Sequence, residues 1–218
     1  MRKALAAVAI TALAVGASGA ADAAAKKPAP KLPKSKPFSY TDQSGDGNGI
    51  NGQGLSDITG QEPPAQSTPS DRSAADIIKV TYGRLDDGKK VTALTVTMTL
   101  SGAPDRATIY RARSEAPDCS IFWFEYDVDP TGAASADLKH TCGNTDPLST
   151  KNTVVTIPAV VKGNSITWTL PVALFPTGVK VGSTLDAFGG ETRGDLIAVT
   201  APSIDEAKSA DGSYKIGS

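Results

Sequence analysis

Val91-Thr92-Ala93-Leu94-Thr95-Val96-Thr97-Met98-Thr99-Leu100 alternates strictly from Leu94 onward. Leu94, Val96, Met98 and Leu100 share one face, and Thr95, Thr97 and Thr99 the other. An extended chain sends successive side chains to opposite faces, so this period of two marks a strand with one face in a core and one wet. Asp87-Gly88 just before it is a hairpin signal, and Asp76–Tyr82 is the strand that feeds it. Working outward, the pattern predicts strands at Arg106–Arg113, Ser120–Val128, Ser135–Thr141, Thr153–Val161, Ser165–Leu170, Leu185–Thr192 and Leu196–Thr200. Lys162-Gly163-Asn164-Ser165 is a second tight turn, and Val172–Phe175, between two prolines, is the one expected helical turn. About nine short strands at this spacing predict an all-β, antiparallel sandwich or jelly roll.

The N-terminal part of the chain reads differently. Arg2-Lys3, an apolar Ala4–Val15 and the small residues up to Ala25 have the form of a secretory signal. The apolar run is shorter than the ~20 residues of a membrane span, so the expectation is a secreted, extracellular or cell-surface protein with no membrane span. Lys26–Pro37 holds five Lys and four Pro in twelve residues and reads as an extended, solvated linker. It is either a spacer or a tether for an anionic surface. The domain then runs from 38 to 218, with Tyr214 and Ile216 as docking points in an otherwise loose tail.

Charge follows the same division. The chain has 22 Lys+Arg, 23 Asp+Glu and a formal charge of -1. Two basic residues lie in the signal and five in the linker, against Asp22 alone among the acids, so the domain carries about -7. An acidic globule argues against nucleic acid and fits a metal or neutral ligand. One His and two Cys do not make a Cys/His zinc site of four ligands. His140 has no Gly-x-Ser-x-Gly elbow to serve, and reads as a surface or packing residue.

Cys119 and Cys142 flank the turn Asp129-Pro130-Thr131-Gly132 symmetrically, which predicts a disulfide across one hairpin. A one-residue bulge would shift that symmetry.

Thr41-Asp42-Gln43-Ser44-Gly45-Asp46-Gly47-Asn48-Gly49 carries side-chain oxygens at Asp42, Ser44, Asp46 and Asn48, with glycines between. Ca²⁺ takes six to eight oxygens around one point, and glycine lets a backbone curl tightly enough to supply them. The stretch opens like an EF-hand loop, but its twelfth position is Gln53 and no helix flanks it. A calcium loop of another type, completed by Asp76 or Asp57, stands beside a plain Gly/Asn turn without metal. This stretch, with Ala75-Asp76-Ile77 opening a strand, resembles the start of DOMON-like β-sandwich modules, such as the C-terminal module of glucodextranase-type glycosidases. The resemblance covers Asp42, Asp46, Asn48 and Asp76; Gln43 stands where those modules have Pro. It implies a structural calcium and, in relatives, sugar or cell-surface binding, with no catalytic residues.

Phe122-Trp123-Phe124-Glu125-Tyr126-Asp127-Val128-Asp129 is the densest run of aromatics and acids. Alternation puts Trp123, Glu125, Asp127 and Asp129 on one face, and Phe122, Phe124, Tyr126 and Val128 on the other. Trp123 beside carboxylates is a platform for a sugar ring: the indole meets its C–H face and the acids accept its hydroxyls. Trp168 is a second candidate, set against the rule that most Trp residues of a sandwich lie in its core. Arg106, Arg111 and Arg113 read as solvated charges on an edge strand. The function expected is a non-catalytic binding or cell-surface module for extracellular or cell-wall polysaccharide. The alternatives are a small glycosidase using Glu125 and its neighbouring acids, and a structural or protein-interaction module.

Overall fold

A computed structural model describes residues 32–42, 73–106, 108–117, 119–128, 132–141, 153–194, 203–208 and 211–218. The expected signal, the first half of the linker, Ser44, Asp46, Asn48, Asp57, Asp129, Cys142 and the strand expected at Leu196–Thr200 lie outside them.

Among the described residues twelve strands form two antiparallel sheets: β1 (Phe38–Thr41), β2 (Ile77–Asp86), β3 (Val91–Leu100), β4 (Thr108–Ala116), β5 (Cys119–Val128), β6 (Ala134–Thr141), β7 (Thr153–Thr156), β8 (Ala159–Lys162), β9 (Ser165–Pro171), β10 (Thr184–Gly194), β11 (Ser203–Lys208) and β12 (Tyr214–Lys215). The first sheet has the order β1-β2-β3-β9-β8. The second runs β11-β10-β4-β5-β6-β7, with β12 against the start of β10. This is the all-β sandwich that the alternation predicts. Val172–Leu174 forms the expected helical turn, as a single 3₁₀ turn. Among the described residues no helix is long and apolar enough to cross a membrane.

Four strands, β1, β8, β11 and β12, fall outside the expected set, since the strand expected at Leu196–Thr200 lies outside the described residues. β1 is only four residues long, too short to show a period. β12 is two residues of the tail, where Tyr214 and Ile216 are fully buried. Thr153–Val161, read as one strand, is two: β7 pairs with β6 and β8 with β9, so the chain changes sheets at Ile157-Pro158. Proline has no N–H to offer a ladder, and its carbonyl instead accepts from Thr169 N at 2.8 Å. The tail is not loose throughout, since β11 and β12 both come from it. Nor is all of the linker free: the Arg84 guanidinium, 2% exposed, donates to the carbonyls of Pro33 and Gly217.

The core lies between the sheets, where Val96, Met98 and Leu100 of β3 meet Tyr110, Phe122, Phe124 and Leu138. Aromatic polar tips tie the layers together. Tyr82 Oη donates to Arg113 O at 2.7 Å, and Trp168 Nε1 to Glu125 O at 2.9 Å. Asp205 Oδ2 accepts from Ile77 N at 2.6 Å. Tight turns hold the hairpins. At Asp87 the carboxylate accepts from Lys89 N and Lys90 N, both at 2.9 Å, and these bonds hold its pKa below the usual value.

Candidate functional site

β5 sits between β4 and β6 in the second sheet, so its outward residues lie in mid-sheet. Two cross-strand rows follow from the registers. The first runs Lys139, Trp123, Arg113, Gly189, and the second Asp137, Glu125, Arg111, Glu191, Glu206.

The second row is a chain of ion pairs. Arg111 Nε meets Glu125 Oε2 at 2.6 Å and Arg111 Nη1 meets Glu191 Oε1 at 2.9 Å. Lys139 Nζ meets Glu125 Oε1 at 2.5 Å, and Arg193 Nε meets Glu191 Oε1 at 3.0 Å. Burial pushes the Glu125 carboxyl up, but the Arg111 and Lys139 charges outweigh it and hold the pKa below the ordinary carboxylate range. Arg111 and Arg113 are therefore not edge charges: β4 lies between β10 and β5, and Arg111 is the bridge between two glutamates.

The first row frames a groove of about 370 Å³ lined by Arg113, Trp123, Gly189, Glu191 and Glu206, with Ala187 and Phe188 at one end. The Arg113 guanidinium lies 5.7 Å from the centroid of the half-buried Trp123 ring and donates to Glu115. The floor is Gly189, where no side chain rises from the sheet. Just before it β10 is irregular: a register shift falls between Asp186 and Gly189, and Ala187 has φ 48°. An extra residue of this kind kinks a strand and re-aims its side chains. Phe188 is thereby buried against Phe38 and Tyr82, with ring centroids 4.4 and 4.7 Å away.

Trp123, Glu125 and Asp127 share the outward half of β5 as alternation predicts, while Phe122 and Phe124 are core. Val128, on the same face as Phe122 and Phe124, is half-buried. Trp168 is not a platform: it is 0% exposed and holds the two sheets together. His140 packs beside Phe122, and burial lowers its pKa. Among the expected metal ligands, Asp42 and Asp76 lie at the same end of the β1–β2 pair, where Asp42 N donates to Ile78 O at 2.8 Å and Asp76 is 4% exposed. Their hard carboxylate oxygens suit Ca²⁺. Ser44, Asp46 and Asn48 lie outside the described residues, among which no group of three or more His, Cys, Asp or Glu is assembled for a metal. The side chains of the expected Cys119–Cys142 disulfide are outside them too. The hairpin register pairs Ile121 with Thr141, one residue from the symmetrical one.

Sequence reasoning did not single out Gly189 and Glu191. Their signal is the alternation of Gly189, Glu191 and Arg193 against Phe188, Gly190 and Thr192 in β10. It points to this groove only once β10 is known to pair with β4.

No protein-family model matches the chain, and neither does any curated protein or solved structure.

Proposed function

We propose that the protein is a secreted, non-catalytic saccharide-binding module that holds extracellular or cell-wall polysaccharide in the Trp123 groove. The observation that carries this reading is the groove itself, with a half-buried indole, a glycine floor and two carboxylates, Glu191 and Glu206, around one space. An indole face covers the C–H face of a pyranose, and carboxylates accept its hydroxyls. The signal-like N-terminus and the resemblance of the Asp42–Asn48 stretch to DOMON-like modules support the same reading. Asp42 and Asp76, with the expected ligands Ser44, Asp46 and Asn48, would hold a structural Ca²⁺.

The state of Glu125 does not suit the proton donor of a glycosidase. A glycosidase acid needs a carboxyl whose pKa is raised so that it keeps a proton. Glu125 is instead held as an anion between Arg111 and Lys139. A glycan array probed with the protein and its W123A variant, each with Ca²⁺ and with chelator, tests the proposal. Saccharide binding that W123A loses supports it. Chelator is expected to lower the melting temperature. Absence of binding to any glycan removes the saccharide reading.

A further inference from the structure

β10 contains two adjacent glycines, and only one of them is explained by the fold. A Cβ on Gly190 would meet Ile77 Cδ1 and Val80 Cγ2 at 3.3 Å and Met98 Cε at 3.4 Å, so the opposite sheet packs directly on its backbone. Gly189 points the other way. A Cβ there would meet Ala207 O at 3.6 Å and Arg113 Cβ at 3.9 Å, which are ordinary contacts, and its φ is not in the left-handed region. Glycine weakens a strand interior, so a central strand that carries one without a conformational or packing need has another use for the space.

Two further anomalies border that space. Ala187, which lines the groove, has φ 48° in the left-handed region that a residue with a Cβ rarely adopts. The indole Nε1 of Trp123 is shielded from solvent and has no acceptor among the described residues, whereas that of Trp168 has one. A buried donor without a partner is uncommon, and it marks the irregular packing of this face.

We propose that Gly189 is the specificity-determining floor of the groove, admitting one or two uncharged pyranose rings against Trp123. This rests on the saccharide reading above and narrows it. At about 370 Å³ the groove is at the small end of ligand sites, which run to ~1,000 Å³, so it takes the end or a short unit of a glycan rather than a long stretch of chain. Its charge sets the class. Within the lining Arg113 is engaged by Glu115 and Glu191 by Arg111 and Arg193, so these charges are matched and a neutral polyol suits the groove better than an anionic sugar.

The test is calorimetric titration of the full protein with cellobiose, maltose, lactose and diacetylchitobiose, with digalacturonate as the anionic probe. It is run on wild type, G189A and G189V, with melting curves for each. The expected result is binding of at least one neutral disaccharide, a severalfold loss in G189A and at least a tenfold loss in G189V. Valine suits a strand, so melting temperatures should stay close; should G189V not fold, G189A decides. Wild-type affinity in the folded glycine variants overturns the role of Gly189 and leaves the saccharide reading standing. Tighter binding of digalacturonate overturns the charge assignment. No binding of any probe to wild type overturns the saccharide reading, and this inference with it.

Discussion

Glu125 accepts from two cations on two different strands, and its side chain is only 13% exposed. Its folded pKa lies below the ordinary 4.5, so its stabilisation is complete above that value and is lost as pH falls through the folded one. E125Q should therefore cost about 1–3 kcal/mol at pH 7, between the values for exposed and buried pairs. It should also flatten the loss of stability between pH 5 and the acid limb. Melting temperatures against pH for both proteins check this; parallel curves would mean that the ion pairs contribute nothing. The face that carries Glu125 was legible in the alternation of β5 alone. Its partners were not, because Arg111 and Glu191 reach it through pairings of β4 and β10 that no local pattern encodes. Trp168 was misjudged as a candidate for the same reason. Trp168 lies between threonines on β9, and only the packing of the sheets makes it a buried donor to Glu125 O.

Within elements, regular strands were the most legible. The predicted Val91–Leu100 is β3 to the residue, and from Leu94 to Leu100 its positions alternate between buried and half-buried. Irregular elements were not. One proline turned an expected strand into β7 and β8 in different sheets, and a bulge in β10 made the groove. That bulge carries the strain of Ala187 at φ 48°. A left-handed alanine costs about 1–2 kcal/mol, and glycine there gives back part of the gain as chain entropy. A187G should thus raise stability by up to about 1 kcal/mol, read from the midpoint of urea unfolding. A fall in stability would mean that the alanine side chain contributes more by packing than its backbone loses.

Across the whole molecule, the sandwich was readable from periodicity, but the way the two ends of the fold are joined was not. Lys26–Pro37 reads as a solvated spacer, yet Pro33 and Gly217 both accept from Arg84, and Ser218 Oγ donates to Lys36 O at 3.4 Å. Composition describes what a segment prefers alone; a buried guanidinium between two carbonyls is a tertiary fact. R84A leaves those carbonyls without their donor and should cost about 2 kcal/mol, or about 4–8 °C for a protein of this size. An unchanged melting curve would show that the clasp is not part of the fold's stability. The acidic domain, its signal-like leader and the Trp123 groove together lead to one claim, that a neutral glycan binds at Trp123. Calorimetric titration of wild type and W123A with the neutral disaccharide panel measures it. The account predicts saturable binding by wild type and at least a tenfold loss in a W123A protein that melts normally. Equal affinity in the two proteins, or no heat of binding in wild type, would contradict it.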